Sequence, residues 1–216
     1  MSARDEILQR VATGVGKADF AARRVAAEAW LAGRACGPLP AIGKELVARF
    51  RLKAESLAST VDAVAEQATA PAAVARYLAA GNLGQAAVVT GDISGLDWAG
   101  SNLEVAARPA VDSDQVGISG CFCAIAETGT LMLLSGPDSP ATVSLLPETH
   151  IAIVNTARLV RTMEDAFALM RAEHGSVPRA INFISGPSRT GDIEQTIVLG
   201  AHGPCRVHLV LVGGDC

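Results

Sequence analysis

Aromatic residues are scarce in this 216-residue chain, at 4% of the whole, although half of its residues are hydrophobic. A core must therefore be assembled from Ala, Val, Leu and Ile. The hydrophobic fraction is ample for one domain, or for one domain with a helical appendage. Positive charge is also in short supply. The net charge of −4 argues against nucleic-acid binding, which needs a basic footprint. No apolar run approaches the roughly 20 residues that span a bilayer, so no membrane partner is expected. The N-terminus carries Asp5 and Glu6 and no apolar segment after them, unlike a signal peptide. A cytoplasmic location is expected.

Several chemical signatures are missing as well. The five cysteines (Cys36, Cys121, Cys123, Cys205, Cys216) form no C-x-x-C and no ferredoxin-like run, which excludes an ordinary cysteine cradle for an iron–sulfur cluster. They read as small, mostly buried thiols. Neither G-x-x-x-x-G-K-[ST] nor G-x-G-x-x-G is present, and no His/Asp/Glu set has metal-ligand spacing such as H-E-x-x-H, so neither a metal nor another cofactor is expected. Ser135 and Ser188 lie outside a G-x-S-x-G context, which leaves no nucleophilic serine assignment.

What the chain does contain is a set of short apolar runs punctuated by glycine and proline. Residues 1–58 read as a helical N-terminal region, with Ser2 as an N-cap and a break through 33–43. From 59 to 216 the pattern becomes α/β. Strands are expected near 60–64, 86–90, 103–106, 131–134, 151–154, 180–184 and 207–212. Helices are expected over 72–80, started by Pro71, and over 163–173. Short strands alternating with helices imply a mostly parallel sheet covered on both faces. The runs at 131–134 and 151–154 have no long helix between them, so the order departs from a plain doubly wound repeat.

Two polar turns stand out. Ala126-Glu127-Thr128-Gly129-Thr130 precedes an apolar run, and Gly186-Pro187-Ser188-Arg189-Thr190 follows one. Glu127 is the candidate general base or nucleophile, against the plain alternative of a carboxylate bonding its own turn. Thr128 and Thr130 offer hydroxyls, and Gly129 offers close backbone approach, to an anion. A short helix or loop is expected after the second turn. If a helix starts near Thr190–Asp192, its N-terminus faces the turn, and Arg189 is able to fork a carboxylate or phosphate. Asp192 and Glu194 either join that ligand, pair with Arg189 or cap the helix. His202, before Gly203-Pro204, is a candidate proton shuttle or a structural tie.

The same stretches, with Leu145-Leu146-Pro147-Glu148-Thr149-His150-Ile151 between them, resemble the LUD-domain family that includes lactate-utilisation protein C. The resemblance covers about 116–212, with the motifs in the family's order. One departure is Gly191, where the pattern has alanine, which loosens the start of the expected helix. The resemblance implies a three-layer α/β/α fold similar to the ribose-5-phosphate isomerase and CoA-transferase group. It also implies a role in L-lactate utilisation beside iron–sulfur partner proteins that convert L-lactate to pyruvate. An enzyme of isomerase or CoA-transferase type is the alternative, with Glu127 acting on a phosphorylated or CoA-linked carboxylate. A small anionic ligand is expected in either case, and a homodimer is the default assembly.

Overall fold

The structure, a computed structural model, describes residues 2–15, 19–33, 35, 37–38, 40–193 and 196–213, without the side chains at 192, 193, 196 and 197. Cys36, Cys216, Glu194 and the Asp192 side chain thus lie outside the described residues. The chain divides into two units, 1–40 and 41–216.

The first unit holds α1 (Ala3–Val15) and α2 (Phe20–Gly33). Ser2 caps α1 as expected: its Oγ accepts from Asp5 N–H at 3.3 Å, while the Asp5 carboxylate accepts from Ser2 N–H at 3.0 Å. This reciprocal pair satisfies donors that the first helical turn leaves open.

The second unit begins earlier than residue 59. Helix α3 (Leu46–Ser56) buries Phe50 and Ala54 completely. They pack with Leu131, Val154, Leu209 and Leu211 in one hydrophobic cluster, so α3 is part of the α/β core.

Six strands form an all-parallel central sheet: β1 (Thr60–Val64), β2 (Ala86–Val89), β3 (Glu104–Ala107), β4 (Val116–Ser119), β7 (Thr149–Asn155) and β12 (Arg206–Val212). Their spatial order is β1-β12-β7-β4-β2-β3. The central strands are apolar on both faces because both are covered. In β7, Ile151 and Ile153 pack beneath Val74 and Leu78 of α4 (Ala70–Ala80), while Ala152 and Val154 face the cluster around Phe50. Pro71 lies in the first turn of α4, where its missing N–H costs nothing.

A second sheet explains the missing helix between 134 and 151. β5 (Cys123–Ile125), β6 (Thr130–Leu134), β8 (Leu159–Val160) and β9 (Ile181–Ile184) pair in the order β8-β5-β6-β9. β6 is antiparallel to both β5 and β9. Only the four-residue α5 (Thr142–Leu145) separates β6 from β7. Ala124, Leu131 and Leu133 face the Phe50 cluster, whereas Cys123, Ile125 and Met132 face Ala166 and Met170 of α6 (Met163–His174). One side of the central sheet is therefore covered by α3 together with a small sheet, itself backed by α6. The run at 180–184, expected to be buried, forms the outer strand β9, where Phe183 is 37% exposed.

Strands stand where a short helix or loop was expected after the second turn. Residues 189–199 make a two-stranded antiparallel hairpin, β10 (Arg189–Ile193) and β11 (Thr196–Leu199), with Arg189 opposite Leu199 and Thr190 opposite Val198. Thr190, Ile193, Thr196, Ile197 and Val198 are β-branched and favour extended backbone over helix.

Candidate functional site

The two polar turns do meet, and what brings them together is the C-terminal end of α3. Gly129 has φ +70°, and a Cβ there would lie 2.5 Å from the Ala54 nitrogen. Gly186 has φ +78°, and a Cβ there would collide with the Leu57 carbonyl. Both positions demand glycine on two counts, left-handed backbone and close approach. At Gly129 the approaching group is the helix, where close approach of a ligand was anticipated.

A chain of hydroxyls links the turns. Thr128 Oγ1 and Thr130 Oγ1 are 2.7 Å apart, and Thr130 Oγ1 and Ser185 Oγ are 2.7 Å apart. Thr130 is buried at 3% exposure, while Thr128 and Ser185 are exposed, so the chain runs from surface to interior and back. Arg189 is exposed and donates to Leu57 O at 3.1 Å. That carbonyl lies just beyond the end of α3, where the helix leaves carbonyls unsatisfied and its dipole is negative. The turn thus faces the C-terminal end of a helix, where an N-terminal end was expected.

Glu127 sits half-buried on the same turn. Its N–H donates to Arg161 O at 3.0 Å, and its carbonyl accepts from Arg49 Nη2 at 3.4 Å. Among the described residues its carboxylate has no hydrogen-bond or ion-pair partner. Arg49 Nε is buried without a partner.

His202 belongs to a neighbouring feature. It is exposed and lines an open cleft of about 450 Å³ with Leu145, Leu146, Glu148, Leu199 and Gly203. The base of the hairpin is pinned there. Ser188 N–H donates to Pro204 O at 2.8 Å, Gly200 N–H donates to Ser188 O at 2.9 Å, and Cys205 N–H donates to Glu148 O at 2.9 Å. Pro187 and Thr190 are buried, Ser188 and Gly186 half-buried. No hydrogen bond joins Glu127 to His202 among the described residues. Residues 186–188 and 202–205 lie beside the starts of β1 and β12, at the N-terminal edge of the parallel sheet. Open α/β sheets bind ligands at the opposite edge.

At that opposite edge lies a second cleft, outside the residues singled out from the sequence. It is lined by Asp92, Gly120 and Cys121, which follow β2 and β4, and by Asn155, the last residue of β7. The legible signal was Thr90-Gly91-Asp92, a polar turn directly after a buried strand. Burial works against the thiolate form of Cys121 and Cys123. Burial raises the Cys121 thiol strongly, with Cys123 beside it adding to the rise, and burial pushes Cys123 up to about 11.

Two histidines are buried and uncharged. His150 Nε2 is 2.8 Å from Ser119 Oγ, and burial holds its pKa down at about 4. His208 stacks on Tyr77 with centroids 3.8 Å apart and bonds Thr60 Oγ1 at 2.8 Å, and burial likewise lowers it to about 4. Neither lies in a cleft described above, so both are structural. Among the described residues no group of three or more His, Cys, Asp or Glu is placed to hold a metal, and no helix is long and apolar enough to cross a membrane.

Comparison with known proteins places this architecture. The chain is 43% identical over 100 residues to Lactate utilization protein C of Bacillus subtilis, covering 45% of this chain and 42% of that protein. It is 39% identical over 119 residues to Lactate utilization protein C of an Exiguobacterium species, covering 54% and 52%. The chain thus spans about half the length of the curated relatives it matches. A crystal structure of a DUF162 family protein from Deinococcus radiodurans superposes with a TM-score of 0.59 at 26% identity, covering 81% of this chain and all of that one. The LUD domain model matches residues 47–212, from α3 to the end of β12, and the chain belongs to the LUD-domain family.

Proposed function

We propose that this chain serves L-lactate utilisation in the cytoplasm as an accessory or ligand-binding protein, beside iron–sulfur proteins that oxidise L-lactate to pyruvate. The observation that carries this reading is the family match over 47–212, joined by relatives named Lactate utilization protein C at 39–43% identity. The scattered cysteines leave the electron-carrying clusters to those partners. A small carboxylate would dock at the meeting of the two turns. Arg189 supplies charge there, and Thr128, Thr130 and Ser188 supply hydroxyls. The reading is tested by purification from native extracts. Recovery of cluster-bearing proteins with the tagged chain is expected, and a tagged chain that returns alone contradicts it.

A second reading, an enzyme of isomerase or CoA-transferase type, is favoured by one feature: the half-buried Glu127 carboxylate lacks an internal partner among the described residues. Glu127 would act as base or nucleophile on a phosphorylated or CoA-linked carboxylate, with His202 moving a proton. Full turnover by Glu127→Gln would remove it.

A further inference from the structure

We infer that the cleft at the C-terminal edge of the central sheet is a binding site for a small uncharged ligand that presents a vicinal diol to Asp92 beside a flat apolar group, as a ribonucleoside does. The inference goes beyond the lactate reading and is independent of the turns that serve it.

The cleft has two lobes, of about 100 and 180 Å³, which share Asp92, Gly120 and Cys121. Both open where β2 and β4 end, and the smaller also where β7 and β12 end, the edge at which parallel sheets present ligands. The site is shaped around Asp92. A Cβ at residue 120 would collide with its carboxylate, so glycine there is what lets the carboxylate lie across the end of β4. Gly120 N–H donates to Thr90 Oγ1 at 3.0 Å, which ties the two strand ends together.

Asp97 and Asp114 use their carboxylates on local turns and an arginine. The exposed Asp92 carboxylate has no hydrogen bond or ion pair among the described residues. Across the smaller lobe, Asn155 accepts from Ala157 N–H at 2.9 Å through Oδ1, and its NH2 has no hydrogen bond among the described residues. A carboxylate acceptor beside an amide donor matches hydroxyl groups, which both donate and accept.

Carboxylates disfavour an anion at the shared end of the cleft: besides Asp92, Asp138 packs on Gly91, with Oδ1 3.2 Å from where a Cβ of residue 91 would lie, while His174 lines the far side of the larger lobe. The larger lobe supplies the apolar wall through Phe122, Leu133 and Leu134. Phe122 is braced from outside: the Arg158 guanidinium lies 4.7 Å from its ring centroid, and Arg158 is held by Glu173 at 2.8 Å. A fixed aromatic wall favours a planar group at little ordering cost.

The test uses the full chain with adenosine and 2′-deoxyadenosine as probes, read by calorimetry and by backbone amide shifts. Adenosine is expected to bind and to shift amides at 90–92 and 120–122. 2′-Deoxyadenosine against the native chain, and adenosine against Asp92→Ala, should each bind at least about tenfold more weakly, the loss expected from charge-assisted hydrogen bonds. The unfolding midpoint of Asp92→Ala shows whether the fold is intact. If it falls, the deoxy comparison on the native chain decides alone. Absence of adenosine binding at millimolar concentration, equal affinity for both nucleosides, or shifts confined to 127–130 and 199–205 would overturn the inference.

Discussion

Replacing Gly129 by alanine tests whether the first turn is shaped by the helix it touches or by a ligand. The backbone at 129 has φ +70°, where a Cβ costs on the order of 1 kcal/mol. The added atom would also lie 2.5 Å from Ala54 N and 2.7 Å from the Lys53 carbonyl carbon. Both are helix backbone and cannot step aside as a side-chain tip would, so overpacking adds about 1–3 kcal/mol. Together Gly129→Ala should lose roughly 2–4 kcal/mol, which lowers the Tm by about 5–15 °C for a chain of this size. Gly186→Ala should lose a similar amount, because its Cβ would meet the Leu57 carbonyl. Gly191→Ala is the control: nothing lies within 4 Å of its Cβ position, and its effect should stay within about 0.5 kcal/mol. Urea unfolding of the three variants gives the comparison. A loss below about 0.5 kcal/mol for Gly129→Ala, with ligand binding abolished, would refute the helix-packing account.

Truncation tests the unit boundary. A chain starting at Ala41 should unfold cooperatively near the native midpoint, whereas one starting at 59 loses the fully buried Phe50 and Ala54 and should fail to fold, since deletion of one buried Phe side chain alone costs about 3–5 kcal/mol. Acid should weaken the protein through His150 and His208, whose folded values of about 4 lie below the ordinary 6.5. Their stabilisation is complete above pH 6.5 and declines as pH falls from there towards 4, by about 2 kcal/mol per histidine between pH 7.5 and 5. Equal unfolding free energies at those two pH values would contradict the burial argument. In thermal unfolding with L-lactate, pyruvate, CoA, acetyl-CoA or a sugar phosphate, a ligand at 100 times its Kd should add about 2.7 kcal/mol. The corresponding rise of several degrees should vanish in Arg189→Ala, and its persistence there would place the ligand elsewhere.

The central sheet was largely legible because burial on both faces leaves apolar runs such as 151–154 and 209–212. The helix expected over 163–173 forms as α6. The second sheet was not legible. β5 has three residues and β8 two, too few for periodicity to show. At 189–199 the acidic Asp192 and Glu194 suggest a capped helix start, while the β-branched residues carry the stronger preference, for a hairpin. The turn motifs drew the site to the N-terminal edge of the sheet, and their meeting was real. The role of their glycines was not readable, since it depends on α3, more than 70 residues away in sequence. Nothing local to Asp92 announces that its carboxylate lies over Gly120, about 30 residues away.

Growth on L-lactate tests the central claim most directly. A host strain lacking this gene, supplied with L-lactate as sole carbon source, should fail to grow or grow slowly. It should recover with the native gene and recover poorly with Arg189→Ala, while growth on glucose stays unchanged. Normal growth of the deletion strain on L-lactate would contradict the account.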